Sequence, residues 1–324
     1  MTQLLLHIGA NKTGSSAVQS FIRDNLSLLD EAGYAVPDNE LKWSKRVTGF
    51  QVFGLAELFA DGGSPERTAA VFDELMRTAP AGKTVLISAE NLSNQGIQRF
   101  LTQVCSRYRT KVILYIRRQD ELLTSSWQQW NSKIESDLDA WIVKSLRLHG
   151  NWAQIVEAWE QIAGKGAVTV RIYERAELRD GNVILDFMDC LGLGDKAGAA
   201  KLTGDEVNPS YSDVITPLVS GNRGIFRDVH DNEFYQLVGK LTGDSFAKRK
   251  RVSLISRDMR EAIMEHYRAQ NERVCRAYFP GRARLFAAVD HSKYEYLSHD
   301  QMREQQMKFL TEMVFRLSQK TFAK

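Results

Sequence analysis

Short apolar runs alternate with amphipathic segments over the first 200 residues of the chain. Four of these runs lack the polar alternation of a half-exposed strand, which is typical of central strands in a parallel sheet. The predicted strands cover Gln3–Ile8 and residues 84–88, 111–116 and 168–173. Segments with helical spacing lie between them, so the pattern predicts an α/β fold with a doubly wound parallel sheet.

Helical periodicity also predicts the segments around these strands. Helices are expected over residues 16–29, 95–108, 120–130, 152–162 and 182–191. Beyond residue 200 the pattern is mainly helical, with Ser256 as a predicted N-cap of one helix and Asp300 near the start of the last. We therefore expect one domain over residues 1–324, with an α/β core in 1–200 and a mainly helical extension in 201–324.

The composition narrows the possible classes of protein. Of 324 residues, 43% are hydrophobic and 26% are charged, which excludes general disorder. A net charge of +3 is too small for a dedicated nucleic-acid coat. Cys105, Cys190 and Cys275 form no CxxC pair, so neither a zinc cluster nor a disulfide framework is predicted. No signal peptide or apolar run of about 20 residues is present, so we expect a soluble, cytoplasmic protein without a membrane span.

The loop after the first strand has the composition of an anion site. Residues 9–16 read GANKTGSS, with Gly9 and Gly14 at the GxxxxG spacing of a nucleotide P-loop and Ser16 at its Ser/Thr position. Unpaired backbone amides converge at such a strand–loop–helix junction and attract anions. The usual lysine position is Ser15, however, and Lys12 is the only lysine of the loop. A tight turn with a chance lysine is the alternative.

A second candidate anion site follows the strand over residues 111–116. Arg117 ends this strand and Ser125 lies eight residues later, so a guanidinium and a hydroxyl can reach one phosphate. A surface cation at a sheet edge is the alternative for Arg117, and Arg118 is expected to be such a cation. A P-loop NTPase has an aspartate at a strand end to hold Mg²⁺, whereas this strand ends in Arg117 and Arg118. The two arginines therefore disfavour magnesium-dependent phosphotransfer. Two anion sites at the carboxyl ends of parallel strands imply a ligand with phosphates at two places.

These segments together resemble the sulfotransferase family that uses 3′-phosphoadenosine 5′-phosphosulfate (PAPS). GANKTGSS is similar to the family's 5′-phosphosulfate loop, with Ser15 and Ser16 in place of two threonines. The arginine and the serine eight positions later match its 3′-phosphate motif, although the family's common proline is Gln119 here. VTVRIYERAEL followed by ILDFMDCLGL is similar to a family strand ending in Tyr-Glu and a helix ending in Phe-Leu-Gly. The resemblance spans about residues 3–195 in order, while the C-terminal helices match only loosely.

The resemblance implies a P-loop NTPase-like three-layer sulfotransferase fold with a helical C-terminal extension. It also implies metal-independent transfer of a sulfuryl group from PAPS to a hydroxyl or amine, with release of adenosine 3′,5′-bisphosphate. Lys12 would neutralise charge on the bridging oxygen, and Tyr173 would lie near the adenine. The residues implied to bind the donor are Gly9, Asn11, Lys12, Thr13, Gly14, Ser15, Ser16, Arg117, Ser125 and Tyr173.

An acceptor hydroxyl also needs a general base. The cytosolic branch of the family has a histidine after the strand that precedes the 3′-phosphate strand, and this chain has Glu90 there. Capping of the next helix, or pairing with an arginine, is the alternative role for Glu90. Glu31, Asp38 and Glu40 are reserve candidates. His7, inside the first strand, is expected to be a structural, hydrogen-bonded histidine.

The acceptor cannot be identified from the residues, and a carbohydrate, a lipid or a small metabolite all remain open. We expect residues 35–65 and the C-terminal helices to recognise it. The basic run over residues 247–251, which includes Lys248 and Arg251, is taken as a solvated surface, with contact to the 3′-phosphate or to an acidic acceptor as alternatives. The oligomeric state is open. Two other functions are also open: a P-loop kinase acting on a small molecule, and a non-catalytic protein that binds PAPS or the bisphosphate.

Overall fold

The structure, a computed structural model, describes residues 3–44, 47, 51–60, 63–202, 213–242 and 251–322. Residues 247–250 of the basic run therefore lie outside the described residues. The helices, in chain order, are α1 (Ser15–Asp24), α2 (Leu26–Glu31), α3 (Val52–Phe59), α4 (Pro65–Arg77), α5 (Gln98–Arg107), α6 (Gln119–Gln129), α7 (Leu138–Ser145), α8 (Trp152–Ala163), α9 (Val183–Cys190), α10 (Ile215–Ser220), α11 (Glu233–Thr242), α12 (Arg257–His266), α13 (Arg268–Tyr278) and α14 (His299–Phe322).

Five parallel strands form the central sheet. They are β1 (Gln3–Ile8), β2 (Tyr34–Ala35), β3 (Thr84–Ala89), β4 (Arg109–Ile116) and β5 (Val168–Ile172), in the order β2-β3-β1-β4-β5. The four predicted strands are confirmed, with ends that differ by two residues or fewer. β2 was not predicted, because a strand of two residues is too short to show a period. β1 has β3 on one side and β4 on the other, so the strand order changes direction at β1.

Helices cover both faces of this sheet. On one face, Leu5, Leu86 and Ile113 join a buried cluster with α1 and α9. Side chains alternate along a strand, so Leu6, Ile87 and Leu114 point to the opposite face. On that face α5 and α8 contact β4. The predicted three-layer α/β arrangement is thus confirmed, and because both faces are covered the central strands read as continuous apolar runs.

The chain divides into two compact units. The first comprises Met1–Arg117, Asn151–Asn208 and Gln270–Ala283, and it contains the whole five-stranded sheet. The second comprises Arg118–Gly150, Pro209–Ala269 and Arg284–Lys324. The description of a single domain over residues 1–324 stays a prediction.

The second unit is mainly helical, as predicted for the C-terminal part of the chain. One apolar cluster joins α10, α11 and α14, and another joins α6, α7 and α12. Two short strands, β6 (Arg251–Val252) and β7 (Tyr294–Glu295), pair in parallel. Within the described part of the chain, no helix combines the length and apolarity needed to cross a bilayer.

Two predicted helices are each interrupted in the structure. The helix expected over residues 16–29 is divided into α1 and α2 at Asn25, whose side-chain amide donates to the carbonyls of Phe21 (2.8 Å) and Lys201 (3.0 Å). The one helix predicted after Ser256 is divided into α12 and α13, with Tyr267 between them. Ser256 does cap α12, because its hydroxyl accepts from the Met259 amide at 3.1 Å.

The expectation that Arg118 is a surface cation is wrong. Arg118 is 7% exposed, and its guanidinium donates to both oxygens of Asp120 at 3.1 and 3.2 Å. Arg260, from α12, donates to the same carboxylate at 2.7 Å. Since Asp120 is fully buried, its charge would be costly without partners, and the two guanidinium groups offset that cost.

Candidate functional site

The loop after β1 turns tightly into α1. Lys12 (φ 63°) and Gly14 (φ 79°) both have left-handed backbone conformations. The Thr13 amide and hydroxyl donate to the Ala10 carbonyl at 3.3 and 2.5 Å, so this hydroxyl is engaged within the loop. The first amides of a helix have no carbonyl partner inside it and carry partial positive charge. The N-terminal turn of α1, beginning at Ser15, therefore favours an anion at this end of the helix.

Close approaches explain both glycines of the loop. A Cβ atom on Gly14 would lie 2.7 Å from a ring carbon of Tyr173, besides having to adopt a positive φ. A Cβ atom on Gly9 would lie 2.7 Å from Cβ of Ser15. The loop backbone is thus packed against the start of α1 and against the end of β5. A side chain at either position would collide with these neighbours, so the packing of the loop requires glycine at both.

Arg117 connects the end of β4 to this loop. Its guanidinium donates to the Lys12 carbonyl at 2.9 Å and lies 5.7 Å from the Tyr173 ring centroid. Its own carbonyl accepts from the Trp152 indole at 2.9 Å. The alternative of a surface position at a sheet edge is wrong, because β4 lies between β1 and β5 and Arg117 is partly buried. β1 and β4 are neighbours, so their carboxyl ends bring the loop and Arg117 together.

Glu90 lies on the other side of the same loop. It follows β3 directly, and its carboxylate accepts a hydrogen bond from the Ser15 hydroxyl. Burial raises the pKa of Glu90, while the Ser15 hydrogen bond and the positive charge of Lys12 act in the opposite direction. The partner of this carboxylate is a serine hydroxyl rather than the arginine of the alternative role. The three residues Lys12, Ser15 and Glu90 thus form one polar cluster.

The remaining sequence-predicted residues occupy different positions. Asn11 and Ser16 lie, half-buried, in the loop and the first turn of α1. Ser125 is buried in α6 of the second unit, and its assignment to a 3′-phosphate stays a prediction. Two of the reserve candidates for the general base, Asp38 and Glu40, bond to residues next to them in the sequence. Asp38 accepts the amides of Glu40 and Lys42 at 3.0 and 2.9 Å, and the Glu40 carboxylate pairs with the Lys42 ammonium group.

His7 is confirmed as a buried, hydrogen-bonded histidine. Its Nδ1 lies 2.8 Å from the Ser88 hydroxyl, across the β1–β3 pair. Burial lowers the pKa of His7 to about 3, so the imidazole is neutral at physiological pH. The Ser88 amide donates in turn to the side chain of the buried Gln51 at 3.1 Å. This network supports the strand ends that carry Gly9 and Glu90.

Sequence reasoning missed two supporting residues, Gln51 and Trp152. Gln51 had no recognisable signal, since its partners are backbone groups at Pro37 and Ser88. Trp152 is the first residue of the helix predicted over residues 152–162 and is buried, and its indole also bonds the backbone at the end of β4. Among the described residues, no three His, Cys, Asp or Glu side chains converge in a way that would hold a metal ion.

Comparison with other proteins gives weak likenesses. No family model matches the chain. An uncharacterised protein of Archaeoglobus fulgidus is 26% identical over 225 residues, which cover 67% of this chain and 60% of that protein. The match thus spans less than two thirds of the relative's length.

Two similar solved structures are sulfotransferases, the family that the loop and strand-end motifs resemble. One is from Alicyclobacillus acidocaldarius, with 13% identity, a TM-score of 0.36 and coverage of 69% of this chain and 94% of that one. The other is mouse SULT7A1 complexed with PAP, with 15% identity, a TM-score of 0.37 and coverage of 81% and 88%. TM-scores this low carry no weight for function, which has to be inferred from the residues of this chain.

Proposed function

We propose that this chain is a PAPS-dependent sulfotransferase that acts on a hydroxyl or amine of a small-molecule or carbohydrate acceptor. One observation carries the proposal: the Arg117 guanidinium donates to the Lys12 carbonyl at 2.9 Å. The strand-end cation and the glycine loop therefore lie side by side. A nucleotide with anionic groups at its 5′ and 3′ positions matches two adjacent anion-binding segments at the carboxyl ends of parallel strands.

The residues of the loop fit such a donor. The N-terminal turn of α1 presents backbone amides that favour an anion, and Lys12 adds a positive charge. The residues proposed to hold the 5′ group are Gly9, Asn11, Lys12, Gly14, Ser15 and Ser16, while Thr13 keeps the loop closed through the Ala10 carbonyl. Arg117 would bind the 3′-phosphate, and Tyr173, which contacts both the loop and Arg117, would lie beside the adenine. Ser125 is proposed as a further ligand of the 3′-phosphate from its spacing alone.

The bound donor supplies an activated sulfuryl group and a bisphosphate leaving group. In the transfer, the acceptor oxygen forms a bond to sulfur, the bond from sulfur to the bridging phosphate oxygen breaks, and the acceptor proton passes to Glu90. Lys12 stabilises the negative charge that develops on the bridging oxygen. The raised pKa of Glu90 suits it to act as a base, because proton transfer is most effective when the pKa of the base approaches the working pH.

Glu90→Gln should lower kcat by about 10²- to 10⁴-fold, the usual contribution of a general base. In the unmodified protein, kcat should fall as the pH drops through the pKa of Glu90, which lies above that of a free glutamate. The variant should lose this acidic limb and keep its affinity for adenosine 3′,5′-bisphosphate. The pH dependence of kcat and titration calorimetry measure the two effects.

A fall in activity of the Gln variant should not come from unfolding. The folded-state pKa of Glu90 is above the unfolded value, so ionisation of this carboxyl costs stability at neutral pH. The Tm of Glu90→Gln should therefore equal or exceed that of the parent, and Glu74→Gln, at an exposed position of α4, serves as the matched control. An unchanged kcat and pH profile would remove Glu90 from the mechanism.

Calorimetry with adenosine 3′,5′-bisphosphate and with ATP, each with and without Mg²⁺, tests the proposed function. We expect the bisphosphate to bind without Mg²⁺ and ATP to bind far more weakly in either condition, since the strand end beside the loop carries Arg117 in place of a metal-holding acid. Tighter binding of ATP with Mg²⁺ would favour the kinase alternative. Bisphosphate binding without sulfuryl transfer to any of a panel of phenols, sugars and amines would favour the non-catalytic alternative.

A further inference from the structure

A groove of mixed polar and apolar lining lies in the first unit, between α8 and the N-terminal half of α5 with the turn before it. Its cavity volume is about 520 Å³, within the roughly 300–1,000 Å³ of small-molecule sites. None of its lining residues belongs to the glycine loop or is among the residues assigned to the donor above. The polar lining consists of Gln95, Gln98, Arg99, Thr102, Gln154 and Gln161.

The lining is rich in neutral amides. Each glutamine offers two N–H donors and one carbonyl acceptor, so four of them form a surface that both donates and accepts. No carboxylate is among the lining residues of this groove, which therefore does not select a cation. Arg99 adds one positive charge, and its guanidinium lies 4.7 Å from the Phe100 ring centroid. Groups that also donate and accept, such as hydroxyls, complement this surface.

One amide of the groove is buried without a partner. Gln98 is 6% exposed, and its Nε2 has no hydrogen-bond acceptor among the described residues. A buried donor without an acceptor is unfavourable, so such groups call for a specific explanation. By contrast, the side-chain amide of Gln95 donates to that of Gln154. Gln98 is among the lining residues, so an acceptor atom of a ligand that reaches this donor would satisfy it.

The groove also has apolar lining residues. Ile155, Ala158 and Ile162 of α8 complete the lining. A sugar ring combines hydroxyls around its edge with C–H groups on its faces, and thus matches a lining that contains both amides and aliphatic side chains. We propose that the α5–α8 groove binds a hydroxyl-rich saccharide.

One end of the groove lies near the candidate site. Gln95 follows Glu90 by five residues, and Gln154 is two residues after Trp152, whose indole bonds the Arg117 carbonyl. Trp159 also donates to the Leu92 carbonyl at 3.2 Å, which joins α8 to the turn that begins at Glu90. This role rests on the proposed function: the groove binds the part of a saccharide acceptor that extends away from the reacting hydroxyl.

Binding of neutral hexasaccharides tests the groove without any donor or turnover. Maltohexaose, cellohexaose and N-acetylchitohexaose are titrated into the full chain, with saturation-transfer NMR and calorimetry as readouts. We expect at least one to bind, and the double variant Gln154→Ala/Gln161→Ala to bind it at least tenfold more weakly. Both glutamines are exposed, so the fold should tolerate the change. Gln319→Ala, on the exposed surface of α14, is the matched control and should bind normally.

Gln98→Met separates ligand binding from a structural role. Methionine has a similar size and removes the unpaired donor, so the Tm should stay the same or rise while saccharide affinity falls at least tenfold. Absence of binding by all three hexasaccharides, or full affinity in both groove variants, would overturn the proposal. Because no donor is present, these results are independent of bisphosphate binding: a loss of either one alone identifies which proposal fails.

Discussion

Replacement of Lys12 by alanine is expected to lower kcat for sulfuryl transfer by about 10²- to 10³-fold, the usual effect of removing one group that stabilises developing charge. The ammonium group of Lys12 lies close enough to influence the pKa of Glu90, in a loop whose backbone packs against Tyr173. Alanine keeps the β-carbon, so the left-handed backbone at this position (φ 63°) is equally strained in both proteins. Single-turnover kinetics with saturating donor measure the effect on the transfer step.

The variant Lys165→Ala is a suitable control for this experiment. Lys165 is an exposed lysine in the turn before β5, at the opposite end of the strand from Tyr173. Its removal changes the net charge equally and should leave kcat unchanged. If Lys12→Ala turns over at the parental rate, Lys12 does not act on the transferred group.

Arg117→Ala should weaken the binding of adenosine 3′,5′-bisphosphate by about 10- to 150-fold. This range corresponds to roughly 1.5–3 kcal/mol for a hydrogen bond to a charged group. Arg117→Lys should recover only part of the affinity, because an ammonium group keeps the charge but lacks the planar fork that binds two phosphate oxygens. Calorimetry at fixed ionic strength gives both values, since salt screens contacts between exposed charges.

Arg109→Ala is the matched control for Arg117. Arg109 is exposed at the first residue of the same strand, β4, and should not affect the affinity. Parental affinity in Arg117→Ala would contradict the assignment of the 3′-phosphate to this strand end. Since Arg117 also donates to the Lys12 carbonyl, its alanine variant should lower kcat as well. Comparison of kcat and bisphosphate affinity between Arg117→Lys and Arg117→Ala helps to distinguish a change in loop position from a loss of phosphate binding.

Local signals in the chain accounted for much of the fold. The bounds of β1 agree with the apolar run Gln3–Ile8, and Ser256 caps α12 as its side chain predicts. The start of α4 has an equally local signal, a serine followed by a proline. Ser64 accepts the Arg67 amide, and Pro65 occupies the first helical position. Such features act within one helical turn, so neighbouring residues suffice to identify them.

The end of helix α1 and the burial of the Arg118 side chain depend on residues that are distant in the sequence. α1 ends where the Asn25 side chain bonds the backbone of Lys201, a residue 176 positions away. Arg118 is buried because Asp120 and Arg260 share its environment, and Arg260 is distant in the sequence. Asp120 is two residues from Arg118, but neither Lys201 nor Arg260 is visible in a local pattern of apolar and polar residues.

The sequence by itself determined the parallel α/β sheet, the glycine loop at the end of its first strand, and the residue types of two candidate anion sites. Hydrophobic periodicity and turn chemistry depend on residues a few positions apart, so both can be recognised in a single sequence. Only the tertiary structure decided that Arg117 bonds the Lys12 carbonyl and that Ser15 donates to Glu90. Those contacts join residues 105 and 75 positions apart, and they depend on the strand order that makes β3 and β4 the neighbours of β1.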